Sequence, residues 1–399
     1  MSWPTKTIGD VCEVVPGFAF KSKDLGDVGT PVIKIGNITE NRSVDIESAQ
    51  CLPEDLIENR HKKYFLRNGD ILIAMTGATA GKVGRIRCAE DQALLLNQRV
   101  AKLCPISINT DFFWSAISTD RYRTVFYGLG GGAAQPNMSG SQIEAVEIPY
   151  PPLAQQERIA SILSAYDDLI ENNRRRIQLL EQAARLLYKE WFVHLRFPGH
   201  EHTRIVDGVP EGWERKVLGD VCFEVREAVS PSAFEANTPY IGLEHMPRRS
   251  ITLCEWGQAE QVTSSKHRFH EGEILFGKIR PYFHKVGIAL TDGVASSDAI
   301  IIRPAHSHLL PLVLMTTSSD GFVAVTAQQM KEGSKMPRAD WKQMQQYPVP
   351  LPPDALLRAF NDFIDPVLNQ LKKLAFAYKR LGAARNLLLP KLMNGEVVV

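Results

Sequence analysis

A chain of 399 residues with 44% apolar and 23% charged residues has room for two folded domains, and its formal net charge of +1 excludes a polycation that holds nucleic acid by bulk charge. No segment reads as a signal peptide, and no apolar run approaches the roughly 20 residues that span a bilayer. The six cysteines (Cys12, Cys51, Cys88, Cys104, Cys222, Cys254) are scattered and contain no CxxC pair, so reduced thiols in a cytoplasmic protein are expected, with no disulfide framework and no zinc site.

Residues 1–150 read as the first globular block, made of short strands and turns. NGDILIAM (68–75) is a turn followed by a strand over Ile71–Ile73, and Val100–Leu103 is a later buried strand ending near Pro105. Phe112–Arg123 reads as a helix and Gly128–Ala134 as a glycine-rich loop. TGATAGKVG (76–84) is not a phosphate loop, because three residues rather than four separate Gly77 from Gly81 and Val83 follows the lysine. It reads either as a tight turn with glycines at positive φ or as a loop whose Thr76, Thr79 and Lys82 face a polyanion. Asn97, Gln98 and Arg99 precede the later strand. Asn and Gln can read adenine and Arg can read guanine, or the three serve turn chemistry. The loop GLGGGAAQPN (128–137), with Gln135, is either a clamp that orders on a ligand or a flexible connection.

Residues 151–197 read as one long helix. Ile159, Ile162, Tyr166, Leu169, Ile177, Leu180, Ala184, Leu187 and Trp191 recur at gaps of three and four, with a register slip around Asn172 to Arg176. From Ala154 to Phe192 the span is roughly 58 Å at about 1.5 Å per residue, and a helix of roughly 50–60 Å matches about 15–17 base pairs of duplex. Such a seam needs a partner.

Residues 198–350 repeat the first block. Trp3 and IGDVCEVV (8–15) match Trp213 and LGDVCFEV (218–225) at a shift of 210, and Pro31, Ile33 and Ile38 match Pro239, Ile241 and Met246 at 208. NGDILIAM matches EGEILFGK (271–278) and the KVG at 82–84 matches that at 285–287, both at 203. The matching strands are Glu273–Phe276 and Ala299–Ile302, with Leu309–Ser319 helical. The equivalent loop, FGKIRPYFHKVG (276–287), sets Lys278, Arg280, His284 and Lys285 among Tyr282 and Phe283, a mixture suited to phosphate and base contact. Ser297 lies in the triplet at 296–298 that matches 97–99. Arg60–Lys63, Arg174–Arg176, Arg248 with Arg249, and Lys266–Arg268 are further basic clusters. Residues 351–399 read as the second long helix, with Phe360, Ile364, Val367, Leu371, Leu374, Tyr378, Leu381, Arg385 and Leu388 in alternation, and a kink or restart expected at Pro366. IPYPPLAQQ (148–156) aligns with VPLPPDALL (349–357), Leu180 with Leu381 and Leu187 with Leu388, at a shift of 201. The expected fold is α+β, with two similar mixed domains and two long helices in an internal repeat.

Catalytic signatures are missing. PYPP (149–152) is not the (Asp/Asn)-Pro-Pro-(Tyr/Phe) motif of DNA amino-methyltransferases, and there is no cofactor fingerprint, HExxH or nucleophile elbow. His200 and His202 lie in a linker and read as solvated rather than metal-binding, so no catalytic, metal or cofactor residue is expected.

PVIKIGNI (31–38), GDILIAMTGATAGKVG (69–84), NQRV (97–100), PLAQQERIASIL (152–163), ARLLYKEWFVHLRFPG (184–199), ILFGKIRPYFHK (274–285) and LLLPKLMNGEV (387–397) together make the chain resemble the specificity subunits of Type I restriction–modification systems. The resemblance implies two target recognition domains, each reading one half of a bipartite double-stranded DNA site. It implies that the long helices pair antiparallel as a coiled-coil spacer through Ile159, Leu169, Leu180, Leu187, Trp191, Phe360, Ile364, Leu371, Leu374, Leu381 and Leu388. It also implies two docked modification subunits that bind S-adenosylmethionine, motor–nuclease subunits that join for cleavage, and no chemistry by this chain. The competing expectations are an assembly scaffold without sequence readout and, against the missing motifs, a fused enzyme.

Overall fold

The computed structural model describes residues 3–130, 137–262, 264–328, 337–397 and 399. The chain divides into two compact units, Met1–Asp168 with Ala383–Val399, and Leu169–Gly382. Both divisions fall inside long helices, so each unit combines a mixed block with segments of both. Among the described residues no single helix is long and apolar enough to cross a membrane.

The first unit carries β1 (Thr5–Thr7), α1 (Ile8–Val11), β2 (Cys12–Pro16), β3 (Thr30–Ile33), β4 (Cys51–Leu52), β5 (Phe65–Leu66), β6 (Ile71–Ala74), β7 (Val83–Arg85), β8 (Leu94–Leu96), β9 (Val100–Pro105), α2 (Thr110–Ile117), α3 (Asp120–Leu129), α4 (Gly140–Glu144) and β10 (Glu147–Pro149). One four-stranded sheet has the order β2-β9-β6-β7, a second has β4-β3-β8-β5, and β1 pairs with β10. Every residue of β6 is buried, which suits an uninterrupted apolar run in a strand covered on both faces. The helix expected over Phe112–Arg123 is two helices. Thr119 accepts a hydrogen bond from the Tyr122 amide and caps α3, so the chain breaks after α2.

The helix α5 (Leu153–Tyr188) begins in this unit. Buried Gln156 anchors its first turn, donating to the Pro151 carbonyl at 2.8 Å and accepting from the Asn109 amide at 2.9 Å. Ile159, Ala160 and Leu163 share a core with Phe112, Phe113, Leu389, Leu392 and Met393. Asp167 pairs with Arg385 at 2.6 Å, while Arg158 donates to the Val399 carbonyl at 3.2 Å. Residue numbers rise on one segment as they fall on the other, so the two run antiparallel within this unit.

The second unit carries β11 (Ile205–Val206), β12 (Val209–Pro210), β13 (Glu214–Val217), α6 (Leu218–Val221), β14 (Cys222–Val225), β15 (Ala228–Val229), β16 (Pro239–Ile241), β17 (Gly257–Gln258), β18 (Lys266–Phe269), β19 (Ile274–Gly277), β20 (Val286–Ile288), β21 (Gly293–Ala295), β22 (Ala299–Pro304), α7 (Leu310–Thr317), α8 (Asp320–Gln328), α9 (Trp341–Met344), β23 (Pro348–Leu351) and, as far as Gly382, α10 (Asp354–Met393). Its sheets have the orders β14-β22-β19-β20 and β15-β18-β21-β16-β17, and β13 pairs with β23. The larger sheets repeat those of the first unit, with β15 added at one edge, and the β11–β12 pair has no counterpart there.

The long helices differ from expectation at three points. α5 ends at Tyr188 and continues as a π turn over Lys189–Val193, which sets Trp191 and Phe192 against Phe360 at ring separations of 5.7 and 4.9 Å. α10 runs unbroken through Pro366, because Ile364, Leu371 and Leu374 on either side are buried in one core. Leu169, expected in the seam, is 52% exposed. It stands just before the register slip, and the buried positions resume at Ile177. Leu180, Leu187, Leu381 and Leu388 are half-buried, while Leu389 is fully buried.

Candidate nucleic-acid interface

In the first unit the residues after β6 and before β9 meet at one rim. The Met75 amide donates to the Arg99 carbonyl at 2.9 Å, and the Met138 amide donates to the Met75 carbonyl at 2.9 Å. Thr76 is bridged to Asn137. Met75, Thr76, Gly77, Gln98, Arg99 and Asn137 line an open cleft of about 340 Å³. Gln98 and Arg99 are exposed there, and the buried Thr76 hydroxyl has no hydrogen-bond partner among the described residues. The Gln98 amide donates to the Phe18 carbonyl at 2.8 Å, which brings the rim beside an aromatic group of Phe18, Phe20 and His61 under Arg60.

The other residues predicted here serve the fold. Buried Asn97 forms the turn, its carbonyl accepting from the Val100 amide at 2.9 Å. Thr79 donates to the Thr76 carbonyl at 3.1 Å. Lys82 does not face outward as a free cation. It pairs with Glu40 at 2.7 Å, and Arg123 reaches the same carboxylate at 2.5 Å. The Lys82 hydrogen bond, joined by that from Arg123, holds the Glu40 carboxyl below its ordinary range. Gln135 lies outside the described residues.

The second unit repeats this frame. The Lys278 amide donates to the Asp298 carbonyl at 2.7 Å and the Ala339 amide to the Lys278 carbonyl at 2.8 Å, while Ile279 is bridged to Arg338. Where the first unit exposes Gln98 and Arg99, the second presents exposed Ser297 and a half-buried Asp298, the latter 3.6 Å from Arg338. Gly77 and Gly81 hold φ of 72° and 80° in the first unit. Their matches at a shift of 203, Arg280 and His284, hold the same left-handed region at 50° and 53°. A Cβ on Gly81 would lie 2.9 Å from the Tyr127 nitrogen, so that position requires glycine.

Between Arg280 and His284 the short turn Pro281–Phe283 builds an exposed ledge. Arg248 lies over the Phe283 ring at 4.0 Å and Arg280 at 5.8 Å, and Tyr282, 53% exposed, meets Phe283 edge-on at 5.0 Å. Two guanidinium groups and an open aromatic ring suit phosphate and base contact. His284 is not part of that surface. It is 2% exposed, its Nε2 donates to the Ser318 carbonyl at 2.8 Å, and burial pushes its pKa down. Lys285 is turned inward as well, donating to the Leu243 carbonyl, and burial lowers its pKa. Sequence reasoning missed Asn137 and Arg338, which close the two rims. The repeat at a shift of 201 that aligns the long helices also aligns this pair.

The molecule is thus a duplicated α+β protein in which two sheet systems of one topology present two chemically different polar rims. The family described as Type I restriction modification DNA specificity domain matches residues 2–182. The MjaIX specificity subunit of a Type I restriction enzyme from Methanocaldococcus jannaschii is 24% identical over 420 residues, which span 100% of this chain and 94% of that protein. The EcoDI specificity subunit from Escherichia coli is 24% identical over 286 residues, 64% of this chain and 62% of that protein. The crystal structure of a Type I restriction–modification S subunit from M. genitalium shares the fold over 98% of this chain and 96% of that one, with a TM-score of 0.59 and 15% identity. The chain is similar over its whole length to a specificity subunit of a Type I restriction enzyme, and it shares the fold of an S subunit of such a system.

Proposed function

We propose that the chain is the DNA sequence-recognition subunit of a Type I restriction–modification complex. Residues 1–150 and 198–350 each read one half of a bipartite, asymmetric target. Residues 151–197 and 351–399 form an antiparallel coiled coil that sets the half-site separation and docks two modification subunits. Those partners bind S-adenosylmethionine and perform the methyl transfer, motor–nuclease subunits join for cleavage, and this chain is non-catalytic and cytoplasmic.

The observation that carries the reading is one frame with two chemistries. Met75 and Lys278 fix equivalent turns to Arg99 and Asp298, yet one rim offers Gln98 and Arg99 and the other Ser297, Asp298, Arg338 and Arg280. Gln and Arg donate to purine edges, whereas Asp accepts from cytosine N4. Two different half-sites follow.

The test is a genome-wide map of methylated adenine in cells carrying the modification subunit, with and without this chain. A split motif with two unlike halves around a fixed gap, present only with the chain, is the expected result. Assembly of the complex without any motif would replace this reading by that of an assembly scaffold.

A further inference from the structure

The exposed ledge of the second unit stands on a network that the recognition reading does not itself require. Glu181, on α5, is 4% exposed. Its Oε1 accepts from the Ser250 hydroxyl at 2.7 Å, from the Thr252 amide at 2.9 Å and from the Thr252 hydroxyl. One turn further along the same face, Arg185 donates to the carbonyls of Ser318 at 2.9 Å and Arg249 at 3.1 Å. The Arg249 amide in turn donates to the His284 carbonyl at 2.9 Å, and His284 reaches back to the Ser318 carbonyl at 2.8 Å. A single helix face therefore holds the segment bearing Arg248 and the turn bearing Arg280, Tyr282 and Phe283.

The network coincides with backbone strain. Arg249, Arg280 and His284 all hold positive φ, at 56°, 50° and 53°. Such conformations in residues with a Cβ persist where surrounding contacts over-determine them. The first unit has Gly77 and Gly81 in its equivalent turn, and the long-helix residues matching Glu181 and Arg185 at a shift of 201 are Gly382 and Asn386. Glycine adopts the turn at 77 and 81 without help, so in that copy the turn itself needs no clasp.

We infer that Glu181 and Arg185 are positioning residues that hold the Arg248–Phe283–Arg280 ledge in its DNA-reading geometry, so that reading of the second half-site depends on the long helix. The inference rests on the recognition reading above.

The test uses the chain assembled with its modification subunits and duplexes scrambled in either half of the mapped target. Glu181→Leu leaves the Thr252 amide and both hydroxyls without their acceptor. Discrimination at the second half falls by about 10-fold or more, and at the first half stays within roughly twofold. Glu181→Gln keeps an oxygen at the same place and retains second-half discrimination within roughly threefold. Hydrogen exchange provides a local readout. In Glu181→Leu the amide of Arg249 loses protection, while those of Ile274–Gly277 keep theirs, which distinguishes a released clasp from an unfolded unit. Wild-type discrimination in Glu181→Leu, equal loss at both halves, or Gln behaving as Leu overturns the inference. Should the wild-type complex prefer neither half, the recognition reading falls, and exchange at Arg249 still decides whether the clasp exists.

Discussion

Gly77 and Arg280 occupy the same turn position at 72° and 50°, and only one of them reaches that conformation without cost. A left-handed conformation costs a residue with a Cβ about 1–2 kcal/mol, and glycine gives back part of that through its greater freedom when unfolded. Arg280→Gly is therefore expected to raise stability by about 0.5–1 kcal/mol in urea titration while weakening DNA binding. Lys278→Ala with Arg280→Ala should weaken reading of the second half-site alone, measured by competition with half-scrambled duplexes; equal loss at both halves would remove that loop from one recognition domain. Gly81→Ala meets both a positive φ and the Tyr127 nitrogen, and should destabilise by about 2 kcal/mol or more on thermal melting. At this scale the sequence showed the mixture of cations and aromatics at 278–285, because residue types are visible as letters. It did not show that His284 and Lys285 turn inward. Their burial is set by Ser318 and Leu243, which are distant along the chain.

At the scale of elements, the runs at Ile71–Ala74 and Ile274–Gly277 were legible because uninterrupted apolar residues behind a turn leave few alternatives. The long helices were legible because apolar residues recur at gaps of three and four. The break between α2 and α3 was not, since one threonine acting as a cap looks like any polar helical residue until its side chain is seen to accept from Tyr122. Leu169 misled because a regular spacing carries no mark of where the partner surface changes. Leu180 and Leu187 are half-buried against the core of the second unit. Replacing both with Gln should cost about 2–4 kcal/mol, from lost burial of two leucines, and abolish assembly with modification subunits on a sizing column. Normal elution would show that the seam is not needed for docking.

For the whole molecule, the duplication was readable from drifting shifts between 201 and 210, and the sheet orders of the two units repeat one another. The closing edges at Asn137 and Arg338 were not read, because each follows a stretch with no regular periodicity. The shared frame makes a transplant testable. Exchanging Gln98 and Arg99 for Ser and Asp, the residues at 297 and 298, should change the first half of the methylated motif and leave the second half and the gap unaltered, as read by mapping methylated adenine. A change in both halves would mean that the two rims do not act separately.

The Glu181 clasp also bears on how such a protein can be recombined. Its donors, Ser250 and Thr252, lie within residues 198–350, but the acceptor lies upstream of them on α5. A chimera joined at residue 198 would inherit the reading surface from one parent and its support from the other. A junction placed before Glu181 would carry both together. The segment that carries both surface and support is accordingly longer than residues 198–350, and begins inside α5.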